Sequence, residues 1–176
     1  MTHSMFVRVY YEDTDLAGIV YYANYLRFIE RGRSEWLRAG GIDQLALMQR
    51  DGIAFVARRV NADYLSPARY DDLLDVVSEL RGIHGARIAL AQRVERGGAT
   101  LFAAEVDLVC VAVPSMRPVR VPAAVRAALD APAALREPAG TVAQTHHPAD
   151  RPGCIHRHHA MPGADPRRPA SASEMR

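Results

Sequence analysis

Over the first 130 positions, apolar residues recur in two different rhythms, and glycines mark most of the places where one rhythm gives way to the other. Phe6-Val7-Arg8-Val9-Tyr10 reads as a short strand. Glu12 through Gly18 is polar and ends in glycine, which predicts a loop. Apolar residues then recur at Tyr22, Tyr25, Leu26, Ile29, Trp36 and Leu37. Their spacings of about three, four and seven put them on one stripe of a helix of roughly four turns. Gly32 falls on the same stripe, where a missing side chain lets another backbone approach closely. Asn24 is placed to cap the start of this helix, and Gly40-Gly41 to end it.

Four extended stretches follow. Ile53 to Tyr64 is apolar but changes its alternating face near Arg58-Arg59, which predicts a bulge. Leu74, Val76 and Leu80 alternate with polar neighbours, as do Ile88, Leu90 and Val94. Between these two runs, Gly82-Ile83-His84-Gly85 reads as a turn. Gly97-Gly98 marks a tight hairpin. Phe102, Ala104, Val106, Leu108 and Cys110 share one face of the last long strand, and Pro122 to Asp130 reads as a short helix with proline at its start. An antiparallel sheet with one apolar face needs a cover, and the long amphipathic helix is the available one. The expected architecture is α+β: a curved antiparallel sheet of five strands, the last four in hairpin-like succession, wrapped around one central helix. Such a sheet leaves an exposed edge, so pairing with a second copy as a homodimer or homotetramer is expected.

Composition changes at residue 131. Residues 131–176 are rich in Pro, Ala, His and Arg and show no sustained apolar period, so they read as a disordered tail behind a domain spanning 1–130. The full chain has 176 residues, enough for one core, and its 49% hydrophobic content fits a globular domain. A net charge of +2 gives no case for nucleic acid or an anionic membrane surface. All 22 basic residues are arginine, whose planar fork suits phosphate. Two cysteines make no disulfide framework, and no run is long enough to span a bilayer or resembles a signal peptide, so a cytoplasmic setting is expected.

The chemistry concentrates in Tyr10 through Tyr25, where a carboxylate-bearing loop leads into the start of the buried helix. Backbone N–H groups at a helix start lack intrahelical partners and carry partial positive charge. They can hold a developing oxyanion, while a nearby aspartate acts as nucleophile or as base on water. The plainer reading is that Asp13, Thr14 and Asp15 only satisfy N–H groups of the turn. Asp13 and Asp15 as a metal pair lack a further ligand at suitable spacing, and the tail histidines (His146, His147, His156, His158, His159) lack companion carboxylates, so no metal is expected.

Tyr11-Glu12-Asp13-Thr14-Asp15, Gly18-Ile19-Val20-Tyr21-Tyr22, Asn24-Tyr25 and Glu30-Arg31 resemble the 4-hydroxybenzoyl-CoA thioesterase-like hotdog family, in particular its tol-pal-associated acyl-CoA thioesterase (YbgC-like) branch. Tyr64 through Asp72 is similar to the same branch, and the resemblance runs over roughly residues 5 to 120. It implies the hotdog fold and hydrolysis of acyl-CoA thioesters to free acid and CoA, with no cofactor beyond the CoA of the substrate. It implies that Asp15 is the catalytic base or nucleophile and that the Tyr22 backbone N–H polarises the thioester carbonyl. Gly18, Ile19, Val20 and Tyr25 become substrate-binding positions; apart from the resemblance, Arg69 in its Pro-containing segment is a candidate contact for CoA phosphates, as are Arg58, Arg59 and Arg117, with surface solvation the plainer role of each. Acyl carrier protein is a further possible partner. Branch members often carry His where this chain has Tyr22, which leaves the acyl group open. The competing readings are a non-catalytic module binding acyl-CoA or acyl carrier protein, and a dehydratase of the same fold. The dehydratase needs a His paired with a carboxylate, and neither His3 nor His84 is well placed for it.

Overall fold

A computed structural model describes residues 2–130, so the predicted tail and its histidines lie outside the described residues. The elements are β1 (Thr2–Arg8), a 3-10 turn (Tyr11–Asp13), α1 (Asn24–Ala39), α2 (Gln44–Asp51), β2 (Ile53–Tyr64), β3 (Leu73–His84), β4 (Arg87–Arg96), β5 (Ala99–Ala112), β6 (Arg117–Pro118) and α3 (Ala123–Asp130). All strand pairings are antiparallel, in the order β1-β3-β4-β5-β2, with the short β6 also pairing with β5. This is the α+β hotdog arrangement of a curled sheet and one long helix.

The expected succession of hairpins holds only for β3-β4-β5. β2 does not pair with β3 but crosses to the far side of β5, which leaves β1 and β2 as the two edges. The face switch in β2 is a bulge: Ala57 stands opposite Leu108 and Arg59 opposite Asp107, with Arg58 unmatched between them. The turn near His84 is shorter than its sequence suggests. β3 bulges between Leu80 and Gly82 but continues to His84, and β4 begins again at Arg87. At the β4–β5 hairpin, Gly97 and Gly98 both take positive φ, at 57° and 82°, as a two-residue type I′ turn requires.

α1 buries Tyr25, Phe28, Ile29, Gly32, Trp36 and Leu37. Tyr22 precedes the helix and Leu26 is turned outward, so the stripe is narrower than the sequence suggests, and Phe28 belongs to it. At Gly32 the helix comes so near β3 that an added Cβ would lie 2.7 Å from Val76 Cγ1. Beside this contact is a buried polar group on the same inner face. Gln92 Nε2 donates to the Ile29 carbonyl at 2.9 Å and to Ser78 Oγ at 2.7 Å, and its Oε1 accepts from Arg33 Nη1 at 2.8 Å. These bonds fix the helix along its axis where apolar contacts alone would let it slide.

α1 ends through Gly41, whose φ of 77° is the left-handed conformation expected of one of the two glycines. α2 has no counterpart in the hydrophobic rhythm. The Asp43 carboxylate caps it by accepting from Leu45 N and Ala46 N at 2.9 and 3.0 Å, and Gly52 closes it at φ 65°. Asn24, expected as the cap of α1, is instead its first residue, and no side chain caps the helix.

Val76 is fully buried and branched at Cβ, so it cannot swing away from a new methyl at position 32. Gly32→Ala should therefore lower the thermal unfolding midpoint. Overpacking of about 1–3 kcal/mol outweighs the gain in helix propensity of about 1 kcal/mol. A thermal melt followed by circular dichroism checks this, and an unchanged or higher midpoint would contradict the close approach.

Candidate active site

The loop ahead of α1 is built from its own polar groups, and its two aspartates have opposite fates. Asp13 is buried at 6% exposure. Its Oδ2 accepts from Tyr10 N at 2.9 Å, and its carbonyl accepts from Tyr21 N and from Asn24 Nδ2, both at 2.9 Å. Asn24 thus ties the first helical turn back onto the loop, which is its role in place of capping. Thr14 Oγ1 donates to the Tyr11 carbonyl at 2.9 Å.

Asp15 is exposed. One carboxylate oxygen accepts from Ala17 N at 2.8 Å, while no hydrogen bond engages Oδ2 among the described residues. Gly18 N closes the turn on the Asp15 carbonyl at 2.9 Å, and Asp15 N donates to the Ile19 carbonyl at 2.9 Å. Gly18 has φ 71°, which the turn needs and other residues adopt only with strain. Turn satisfaction engages one oxygen of each carboxylate, Asp13 through Tyr10 N and Asp15 through Ala17 N, and burial is what separates the two.

The second conspicuous segment folds against the first. Ile19 bridges Arg69 and Val20 bridges Thr14, while Val20 N donates to the Ala68 carbonyl at 2.8 Å. Asp72 Oδ2 accepts from Arg69 N at 2.7 Å and from Arg96 Nη1 at 2.6 Å, which pins this turn to β4. The Arg69 side chain is exposed, and its guanidinium makes no ion pair among the described residues. Tyr25 is buried at 3% exposure, stacks on Phe102 at 5.1 Å, and accepts from Ala68 N through its hydroxyl at 2.9 Å. Its ring is part of the core, and it acts on the loop through Ala68. Val20 is likewise buried, whereas Gly18 and Ile19 reach the surface.

Tyr22 N finds no hydrogen-bond partner among the described residues and sits two positions ahead of α1. The Tyr22 carbonyl accepts from Tyr64 Oη at 3.3 Å, and the two rings meet edge to face at 6.3 Å. Tyr64, which the sequence reading treated only as part of a motif, thereby holds this stretch of backbone. The rings of Tyr21 and Tyr22 are 4.7 Å apart. The Tyr21 phenol is raised above its ordinary value, first by hydrogen bonding to Tyr22, with smaller contributions from burial and from the negative charge of Asp15.

The site is open in a single chain. Tyr10, Tyr11, Leu16, Tyr21, Tyr22, Tyr64, Leu65 and Tyr70 are all exposed around it. Two surface cavities, of about 530 and 250 Å³, are lined by neither Asp15 nor Tyr22. Among the described residues, no group of three or more His, Cys, Asp or Glu could hold a metal ion, and no helix is long and apolar enough to cross a membrane.

Sequence and structure comparisons place the chain in a family. The pattern defining the thioesterase-like superfamily matches residues 9–129. The acyl-CoA thioesterase YbgC of Haemophilus influenzae is 44% identical over 122 residues, which cover 69% of this chain and 90% of that protein. The crystal structure of a probable thioesterase from Bartonella henselae superposes with a TM-score of 0.67 at 35% identity, covering 69% of this chain and all of that one. A 4-hydroxybenzoyl-CoA thioesterase mutant complexed with 4-hydroxybenzoyl-CoA shares the fold at a TM-score of 0.69 and 23% identity, covering 73% of this chain and 98% of that one. With its loop, helix and sheet matched over residues 9–129, the chain belongs to the thioesterase-like superfamily of hotdog proteins.

Proposed function

We propose that this protein hydrolyses acyl-CoA thioesters, with Asp15 as the catalytic carboxylate and the Tyr22 backbone N–H as the oxyanion donor. The observation that carries this reading is a carboxylate oxygen without a partner and a backbone N–H without one, seven residues apart on a hydrogen-bonded loop at the head of α1. The relatives named acyl-CoA thioesterase support the substrate class.

The thioester carbonyl oxygen accepts from Tyr22 N–H, next to the positive end of α1. As charge moves onto that oxygen, the unpaired donor gains a partner, so the interaction is stronger in the transition state than in the ground state. Asp15 either removes a proton from water as the water oxygen attacks the carbonyl carbon, or attacks that carbon itself to give an anhydride that water then cleaves. In both routes the carbon–sulfur bond breaks, the CoA sulfur leaves with the bonding pair and is protonated, and the acyl group departs as the free acid. The Ala17 N–H bond to Oδ1 holds the carboxylate so that Oδ2 stays available. Arg69 is free to meet a CoA phosphate, since it makes no ion pair of its own among the described residues.

A single chain offers one wall of this site. The exposed tyrosines and leucines around Asp15, together with the unpaired outer edge of β2, support a homodimer or homotetramer in which a second copy supplies the facing wall for the acyl group.

Asp15→Asn keeps the Oδ1 bond to Ala17 but removes the charge. It should reduce free-thiol release from acyl-CoA by orders of magnitude with the melting midpoint unchanged; near-parental turnover would end the mechanism. Asp13→Ala should do something different, because it removes the buried carboxylate that holds the Tyr10 N–H at 2.9 Å. A stability loss of about 1–3 kcal/mol in urea titration is expected, and a variant as stable as the parent would show that Asp13 does not hold the loop.

A further inference from the structure

Tyr25 stands among the positions that the family resemblance assigns to substrate, yet its surroundings are those of a brace. It lies in the first turn of α1 and stacks on Phe102, with Phe28 and Tyr64 standing edge-on to its ring. Its buried hydroxyl accepts from Ala68 N at 2.9 Å, and Ala68 is itself fully buried. Burial raises the phenol above its ordinary value, against the pull of the Ala68 N–H and of Arg96, so the oxygen stays neutral.

Ala68 belongs to the turn from Pro67 to Asp72, which is tied to four elements. At its entry, Leu65 N and Ser66 N donate to the Leu101 carbonyl of β5 at 2.8 and 3.0 Å. At its exit, Asp71 N donates to the Val9 carbonyl just beyond β1 at 3.0 Å, and Val9 N to the Asp72 carbonyl at 2.9 Å. Arg96 of β4 holds Asp72, whose carboxylate also accepts from Arg69 N. Tyr25 is the tie from α1. The turn passes this position on to the loop: the Ala68 carbonyl accepts from Val20 N at 2.8 Å, and the adjoining Ile19 carbonyl accepts from Asp15 N at 2.9 Å. A relay of backbone hydrogen bonds therefore runs from the Tyr25 hydroxyl to Asp15. On the other side, Tyr64 packs on the same Phe102 ring and bonds the Tyr22 carbonyl. The carboxylate and the candidate donor thus lean on one aromatic cluster.

We propose that Tyr25 is a positioning residue for thioester cleavage: acting through Ala68 and the Ile19–Val20 segment, its hydroxyl sets Asp15 at its distance from the Tyr22 N–H, and it makes no contact with substrate. The inference rests on the roles proposed above for Asp15 and the Tyr22 N–H. Cleavage needs the carbonyl oxygen on the donor and the carbonyl carbon within reach of the carboxylate or of the water it activates. A small drift of one group against the other therefore lowers the rate of the chemical step and leaves the binding of the rest of the substrate as it was.

Tyr25→Phe keeps the stack on Phe102 and removes only the hydroxyl. In free-thiol release from acyl-CoA it should lower kcat about tenfold with KM unchanged. Asp43→Ala is the control for stability alone: it uncaps α2 beyond the far end of α1, so the melting midpoint should fall while kcat stays parental. Combining Tyr25→Phe with Asp15→Asn should cost nothing beyond Asp15→Asn, because the hydroxyl acts through that carboxylate. A parental kcat in folded Tyr25→Phe, a raised KM with kcat kept, an equal kcat loss in Asp43→Ala, or a further tenfold loss in the double variant would overturn the proposal. If Tyr25→Phe does not fold, Arg96→Gln loosens the same turn through Asp72 from a half-exposed position. A lower kcat at unchanged KM in that variant supports the brace, and a parental kcat overturns it. Near-parental turnover in Asp15→Asn would instead end the reading of the site itself, whatever Tyr25→Phe does, so the two failures are distinguishable.

Discussion

The approach of α1 to the sheet at Gly32 governs the placement of nearly everything else. A helix packed on a curled sheet can slide and rotate over a smooth apolar surface, and two features remove that freedom here. The absent side chain at Gly32 lets the helix backbone come against Val76, and the Gln92 amide grips the Ile29 carbonyl beside it while also bonding Ser78. Apolar burial supplies the attraction, but it is non-directional. The buried hydrogen bonds are directional, and they set where along its axis the helix rests. Because the head of α1 carries the Tyr22–Asn24 segment, the position of the candidate oxyanion donor follows from a contact two turns further along.

From that anchored helix the loop is assembled by short-range polar bonds. Asn24 reaches back to the Asp13 carbonyl, Asp13 holds Tyr10, and Gly18 closes the turn on Asp15. The result separates two chemically identical side chains by environment alone. Each carboxylate has one oxygen engaged, but Asp13 is buried with its oxygen holding Tyr10 N, whereas Asp15 is exposed and its second oxygen faces outward. The Pro67–Asp72 turn braces the loop from the other side through the Ile19–Arg69 bridge, and Arg96 secures that turn by its bond to Asp72. The two segments that stand out in the sequence are thus one structure in space.

The sheet topology adds a second consequence. Since β2 crosses to pair with β5, it becomes an outer edge strand, and its bulge leaves Arg58 with no residue opposite it on β5. With β1 at the other end of the order, the sheet has two edge strands among the described residues.

Much of the architecture is legible in the residues because it depends on local rules. Alternation in β3, β4 and β5, the helical stripe, the bulge at Arg58, the Gly97-Gly98 hairpin and the need for a small residue at position 32 all follow from side-chain period and backbone sterics. The motif around Asp15 singled out the loop by resemblance. The pairing of β2 with β5 was not legible, because antiparallel partners are chosen by closure of the whole sheet and leave no mark in either strand's alternation. The fate of Asn24 was equally hidden. Its residue type suits a helix cap, but Asp13, eleven positions earlier, offers a carbonyl that only the folded loop brings within reach. α2 had readable signals in Asp43 and Gly52, yet its eight residues bury only Leu47 and so carry no strong stripe. What the sequence determined by itself is the set of elements and the loop that carries chemistry. The tertiary structure alone decided which aspartate is buried and which is exposed, and how Asn24 and Ala68 tie the loop to the helix and to Tyr25, since these depend on groups far apart in the chain meeting in space.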